Sequence, residues 1–395
     1  MERVAIVASV RTPIGKFLGS FADLPAAELG AIAVRGLLER AGVLASDPDE
    51  LIFGCARQAG GGPNMARQVL IGSGIPDARP AFTVNQACGS GLQSILLGAD
   101  RIRLGKARLV VAGGAENMTR VPFLLDRARL GYRLGHAPLV DGMYKDGFLD
   151  PICGMVMGET AEKLADLHKI SREEQDEFAL ESQRRAGLAT KEGRFERQLV
   201  PVTVKGKKGD QIVSADEHPR PESTPAEIAK LPPVFRTGGT VHAGNSSGIT
   251  DGAAAVLVAA ESVVKERGWK PQAWLGESAT VGVDPSIMGI GPVPATREVL
   301  ARSGRKLDAY ELIELNEAFA AQVIACDREL KMDRNRLNVN GGAIALGHPI
   351  GATGARIVVT LLHEMERRNA RLGLATLCVS GGLGIALELD RNGVS

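Results

Sequence analysis

Two apolar rhythms alternate along this chain. Helical spacing in AVRGLLERAGV closes at Gly42 and gives way to a strand-like DELI that ends at Ile52. The same order returns in ATREVLARSGR and YELI, between Ala295 and Ile313. Arg35 matches Arg297, Gly42 matches Gly304, and Glu50 matches Glu311, the last at an offset of 311 − 50 = 261. A second correspondence follows, because Cys88 opens a turn and helix (CGSGLQSILLGADRI) as His348 opens another (HPIGATGARIVVTLLHEM), an offset of 348 − 88 = 260. Leu92, Ile95, Leu96, Ala99 and Ile102 fall at helical spacing in the first, and Ile357, Leu361 and Met365 in the second. Each helix precedes an apolar strand and a double glycine: Leu109–Ala112 before Gly113 and Gly114, Leu374–Val379 before Gly381 and Gly382. The halves therefore read as a duplication that alternates strands and helices, which predicts a layered α/β fold with helices covering sheets.

The repeat is interrupted from Thr119 to Gly244, where charge and proline increase and a long helix is expected over Ser171–Lys191, with Ser171 and Glu174 forming a capping box. The expected division is 1–118 with 245–269 as a first half, 119–244 as an inserted loop domain, and 270–395 as a second half. Pattern alone leaves open whether the insertion only mediates assembly or also walls the substrate site. Within it, Lys205, Lys207 and Lys208 in VKGKKGD read as a solvated hairpin turn.

A chain of 395 residues is long enough for two or three domains and a large interior. Its 47 basic and 46 acidic residues leave a net charge of +1, so no global field favours nucleic acid or an anionic membrane, and an anionic ligand must be held locally. Five scattered cysteines, an odd number, argue against a disulfide framework and for a reducing compartment. The N-terminus enters an apolar strand-like run directly and no apolar run approaches about 18 residues, so a soluble cytoplasmic enzyme is the expectation. Neither GxxxxGK[ST] nor a strand-linked GxGxxG occurs, so nothing points to ATP hydrolysis or nicotinamide chemistry.

Four residues are candidates for chemistry. Cys88 lies between a strand-like AFTVNQA and the small residues Gly89, Ser90 and Gly91, where a helix N-terminus favours thiolate and free N–H groups suit an oxyanion. A lone cysteine in such a turn is equally a packing residue, so the signal needs partners. His348 occupies the equivalent turn, and a pseudo-twofold packing of the halves would bring the two together. Asn316 follows YELIEL and begins NEAFAAQ, which reads as an N-cap or as a group that orients a water. Cys378 ends LATLC before Val379 and Ser380, and is either a core cysteine or a functional one. Cys55, Cys153 and Cys326, and His136, His168, His218, His242 and His363, have no comparable setting.

Together NQACGSG, NEAFAAQ, GGAIALGHPIGATGAR and LCVSGGLG closely resemble the thiolase family, and the likeness extends from RTPIGKF at Arg11 through AGNSSGITDGAA to the C-terminus. The resemblance implies a duplicated five-layer αβαβα fold with an inserted loop domain that binds CoA, assembled as a homodimer or homotetramer. It implies that Cys88 takes an acyl group while His348 accepts its proton, and that Cys378 then removes the α-proton of a second acetyl-CoA for a Claisen condensation. A water on Asn316, with His348, would stabilise the enolate, and backbone N–H groups of Cys88 and Ser380 the tetrahedral intermediate. Ser247 and Arg220 match CoA-contacting positions; Met157, Met288 and Phe319 match positions that line the acyl and pantetheine pocket. Coenzyme A and acyl-CoA are the implied substrates, with no metal or further cofactor. Two departures stand out: Ser380 replaces a frequent glycine, and Val156 replaces a histidine common in short-chain biosynthetic members.

Other readings remain: a 3-ketoacyl-CoA thiolase of broader chain length in β-oxidation, a ketoacyl-synthase-like condensing enzyme, a cysteine hydrolase, or a non-catalytic acyl-CoA binder. The first differs in acyl length, the second in not needing Cys378, the third in releasing free acid, and the last in forming no acyl-enzyme.

Overall fold

The computed structural model describes residues 2–206 and 209–393; Lys207 and Lys208 of the lysine cluster lie outside the described residues. The first half comprises β1 (Val4–Arg11), α1 (Ala26–Ala41), β2 (Glu50–Gly54), α2 (Met65–Gly72), β3 (Ala81–Val84), α3 (Ser90–Arg103) and β4 (Leu109–Asn117). The chain then leaves the sheet, carrying α4 (Met157–His168) and α5 (Arg172–Lys191), and returns as β5 (Thr250–Ala260). The second half comprises β6 (Ala273–Gly282), α6 (Pro292–Ser303), β7 (Leu312–Leu315), α7 (Ala320–Leu330), α8 (Ile350–Arg368), β8 (Leu372–Val379) and β9 (Leu383–Asp390).

Both halves use one strand order. It runs β3-β2-β4-β5-β1 in the first and β7-β8-β9-β6 in the second, where Leu337 bridges in parallel to Ile313 at the place that β3 holds beside β2. β1 meets β6 at Ala5↔Trp274 and Ile6↔Ala273, which joins the halves into one ten-stranded hydrogen-bonded sheet, the short strand Gly15–Lys16 pairing to β5 off the main path.

Alternation along the strands sends neighbouring side chains to opposite faces. Val110, Ala112, Val256 and Val258 face a central cluster with α3 and α8, while Leu109, Val111, Ala255 and Leu257 pack under α1 and α2. In the second half Ala375, Leu377 and Ile385 face that same central cluster, whereas Ile313, Leu374 and Ala386 pack under α6 and α7. The order is helices, sheet, helices, sheet, helices: five layers. Because α8 has a sheet on both sides, it is buried along Ile350–Leu362 and not on one stripe only.

Gly42 and Gly304 end α1 and α6 in the left-handed conformation (φ 61° and 67°), as their matched positions predict. The double glycines differ. Gly381 and Gly382 form a true turn with φ of 86° and 82°, but β4 runs on through Gly113 and Gly114. There the missing side chains serve packing, since a Cβ at Gly114 would lie 2.1 Å from the Gly351 carbonyl oxygen of α8. The match of Glu50 with Glu311 is also out of phase by one residue. Ile52 and Leu312 share the central face, an offset of 312 − 52 = 260, whereas Glu50 is buried against Arg101 and Glu311 is exposed.

Ser171 caps α5 by accepting from the Glu174 N–H, and the Glu174 carboxylate accepts from the Ser171 N–H. Lys205 is exposed beside a hairpin formed by Val202–Val204 and Gln211–Val213.

Candidate active site

Cys88 sits on a sharp turn between β3 and α3. Ala87 adopts φ 43°, a left-handed conformation costly for a residue with a Cβ. Ser90 holds it there: its Oγ accepts from the Gln86 N–H at 2.8 Å and donates to the Ala87 carbonyl at 2.7 Å. Small residues after the cysteine are required because a Cβ at Gly91 would lie 2.7 Å from the Ala355 nitrogen of α8.

His348 precedes α8, its N–H bonded to the Gly248 carbonyl at 3.2 Å. Its Nδ1 lies 2.6 Å from Thr353 Oγ1, and that hydroxyl donates to the Pro349 carbonyl at 3.0 Å. With its own hydrogen so committed, the hydroxyl accepts from Nδ1–H. Nε2 therefore carries the free lone pair, the tautomer a base needs.

Cys378 is the penultimate residue of β8, and the following turn is held by Asp150, which accepts from the Gly381 N–H at 3.0 Å. Ser380 is outside the left-handed region, unlike Gly381 and Gly382, so serine there imposes no backbone strain.

Cys88, His348, Cys378 and Ser380 all line one cavity of about 1020 Å³. So do Met157 at the start of α4, Met288, Phe319, Ser247 and the exposed Arg220. Met157, Met288, Phe319 and Phe235 cluster around Cys378, with the Phe235 and Phe319 rings edge to face at 6.2 Å. The segment between β4 and β5 supplies one wall, including Tyr144, Phe148 and Phe235.

Asn316 does not line the cavity and is not an N-cap, since α7 begins only at Ala320. Pairing explains this: the Asn316 N–H donates to the Thr376 carbonyl at 3.0 Å, just past the end of β7, and Phe319 makes an isolated bridge to Ser246 before α7 starts. Asn316 is 1% exposed, and its Nδ2 is a buried donor without a partner.

Burial dominates the electrostatics. It raises the Cys88 thiol, opposed by the charge of Arg57 and by the N–H groups of Ser380 and of Cys88 itself, which point at the sulfur. The thiolate expected from the helix start is therefore not the resting form: half-burial outweighs the turn. His348 is lowered to about 3, by desolvation first and then by Arg356 and Arg57, so it rests neutral. Cys378 is raised well above the ordinary thiol range by desolvation and by Cys88. The resting site thus holds two thiols and a neutral imidazole.

Several contributors are not singled out by the sequence pattern. Arg57 lines the cavity and donates to the Gly147 carbonyl at 2.9 Å. Glu116, fully buried, accepts from the N–H groups of Ala56, Arg57 and Gly351, and so ties the Arg57 loop to the start of α8. His218 lines the cavity with Nδ1 on the Ala345 carbonyl at 2.8 Å. Single residues outside repeats give no such signal. Cys55 and Cys326 donate as neutral buried thiols, to Glu116 and to the Gly289 carbonyl.

Among the described residues no three His, Cys, Asp or Glu side chains group as metal ligands, and no helix is long and apolar enough to cross a membrane.

Two family models cover the chain: Thiolase, N-terminal domain, over residues 4–262, and Thiolase, C-terminal domain, over residues 269–391. The chain is 51% identical to an acetyl-CoA acetyltransferase of Syntrophomonas wolfei, over 98% of this chain and 99% of that protein. Among solved structures it resembles the Bacillus anthracis acetyl-CoA acetyltransferase, with TM-score 0.97 and 43% identity over 99% of both chains. It also resembles human mitochondrial 3-ketoacyl-CoA thiolase, with TM-score 0.96 and 42% identity over 98% of this chain and 99% of that one. On the duplicated five-layer fold, the paired turns and these likenesses, this chain belongs to the thiolase family.

Proposed function

We propose that this enzyme catalyses the reversible Claisen condensation of two acetyl-CoA molecules to acetoacetyl-CoA and CoA, through an acetyl thioester on Cys88. One observation carries the reading: Cys88, His348 and Cys378, far apart in sequence, line a single cavity. Because Cys88 rests as a thiol, its attack on the thioester carbonyl is coupled to proton transfer to His348 Nε2, and the departing CoA sulfur takes its proton from Cys378. The N–H groups of Cys88 and Ser380 receive the developing oxyanion. Left as a thiolate, Cys378 then removes the α-proton of the second acetyl-CoA. Cys378 becomes a base only by protonating the CoA that acylation releases, which orders the two half-reactions. The enolate oxygen is held by the Nε2–H of protonated His348 and by a water on Asn316; the carbanion attacks acetyl-Cys88, and His348 returns its proton to the released Cys88 sulfur.

Arg220 and Ser247 are read as CoA contacts, and Met157, Met288 and Phe319 as the apolar wall that favours short acyl groups. No cofactor beyond the CoA substrates is assigned. The division into 1–118 with 245–269, 119–244, and 270–395 is supported by the repeated strand order, with 119–244 assigned to CoA binding and assembly. Exposed Leu130, Leu134 and Leu139 in that segment support a homodimer or homotetramer, and the cytoplasm is the proposed compartment.

The test is CoA-dependent cleavage over a series of 3-ketoacyl-CoA esters. The reading expects kcat/KM to be highest with acetoacetyl-CoA and to fall as the chain lengthens, since each methylene that must displace packed side chains costs roughly 1–3 kcal/mol. Faster cleavage of 3-ketohexanoyl-CoA or longer esters contradicts the acetoacetyl preference; hydrolysis without CoA contradicts the whole reading.

A further inference from the structure

Arg356 is 1% exposed, on the α8 face that also carries Thr353, the support of His348. Its Nη2 lies 3.5 Å from Asn316 Oδ1, its Nη1 lies 3.7 Å from the buried carboxylate of Glu314, and its Nε and Nη1 have no hydrogen-bond partner. Burying a guanidinium with such loose pairing, beside a carboxyl that burial pushes up to about 8, is costly, and a fold does not need it.

The duplication supplies an internal control. At the offset of 260, the twin of Arg356 is Leu96, because 356 − 260 = 96. The twin of Glu314 is Gly54: 314 − 260 = 54, and Glu314 pairs with Ala375 on β8 as Gly54 pairs with Gly114 on β4. The first half folds with a leucine and a glycine where the second half buries two ionisable side chains. These side chains are therefore kept for something that only the second half does, and Asn316 is the polar group that Arg356 adjoins.

We propose that Arg356 is a positioning residue for this reaction, fixing the amide of Asn316 so that Oδ1 faces the guanidinium and Nδ2 is left as a donor. A guanidinium has only donors, so the amide atom beside it must be the oxygen. Nδ2 then offers its hydrogen to a water oxygen, and both hydrogens of that water are free to point at an enolate oxygen. With the amide reversed, the water would donate one hydrogen back to Asn316 and lose half that capacity. The desolvated guanidinium also contributes to keeping His348 neutral.

This inference rests on the role proposed above for Asn316, and the experiment separates the two. The readouts are acetylation of Cys88 by acetyl-CoA, followed by mass spectrometry, and exchange of acetyl-CoA α-protons in heavy water. Asn316→Ala should lower exchange at least tenfold with acetylation within threefold; wild-type exchange in it removes the Asn316 role and this inference with it. The variant Glu314→Gln/Arg356→Leu restores the twin's apolar side chain without leaving a buried charge unpaired. It should lose exchange by a similar factor with acetylation retained, and adding Asn316→Ala should lower exchange by less than threefold further. Full additivity, or normal exchange in the double variant, overturns the inference while leaving the Asn316 role standing. Two milder variants apply even if the double variant fails to fold. Arg356→Lys, which keeps a cation beside Oδ1, should retain at least a third of the exchange. Asn316→Asp, held by Arg356 but lacking the donor, should melt no lower than Asn316→Ala and lose exchange equally. Exchange retained by Asn316→Asp, or lost in Arg356→Lys as fully as in Asn316→Ala, contradicts it.

Discussion

Cys88 and His348 stand at twin places, each in a turn before a central helix, yet their immediate supports differ. Cys88 is held by a strained Ala87 and the hydroxyl of Ser90, with N–H groups aimed at its sulfur. His348 is held by Thr353, whose twin is Gln93, and lies near Arg356, whose twin is Leu96. Duplication supplies two matching turns that meet at the middle of the molecule. The chemistry comes from the places where the copies diverge: one turn presents a nucleophile and oxyanion donors, the other a neutral base of fixed tautomer.

Removing the base breaks the comparison most severely. His348→Asn should lower kcat/KM by about 10²–10⁴-fold in condensation and thiolysis alike, as expected when a general base is lost. Steady-state rates within tenfold of wild type would mean that the two turns are not divided in this way.

Packing between the copies comes next. Gly114→Ala sets a Cβ 2.1 Å from the Gly351 oxygen and should destabilise the fold by about 3 kcal/mol, whereas the twin position, Ala375, already carries that methyl. Urea unfolding measures this; a change below about 1 kcal/mol would show that α8 can shift away.

Acid sharpens the difference through linkage. With the folded pKa of His348 lowered to about 3 from 6.5, the unfolded chain binds more protons between those values, so stability is present at neutral pH and is lost as pH falls through that window. From pH 7 to pH 5 the loss is about 2 kcal/mol at 1.36 kcal/mol per unit. Unfolding of wild type and His348→Asn at the two pH values should show the variant less acid-sensitive by that order; equal sensitivity would mean the imidazole is solvated.

The smallest effect lies outside both copies. Arg220, exposed at the cavity, should act equally in ground and transition states, so Arg220→Ala should raise KM for CoA esters roughly tenfold, about 1.4 kcal/mol, with little change in kcat. A fall in kcat at constant KM would place Arg220 in the chemistry instead.

What could be read from sequence follows the physics of the repeat. Helix periods, C-cap glycines and the Cys88 and His348 turns are local patterns that occur twice, so they could be recognised without coordinates. Gly113 and Gly114 are harder, because only the approach of Ala254 to the first and of α8 to the second explains two glycines inside a strand. Asn316 is set by long-range pairing to Thr376, and a helix-like NEAFAAQ gives no hint of it. Arg57, Glu116 and Arg356 are isolated in sequence. Their significance rests on partners such as Gly147, Gly351 and Asn316, which only the fold brings near.

The division of labour between the twin turns is tested most directly by the site of acylation. After incubation with acetyl-CoA, peptide mapping by mass spectrometry should find one acetyl group on Cys88 in wild type, the same adduct in Cys378→Ala without turnover, and none in Cys88→Ser. An acetyl adduct elsewhere at wild-type level in Cys88→Ser, or normal condensation by Cys378→Ala, would contradict the account.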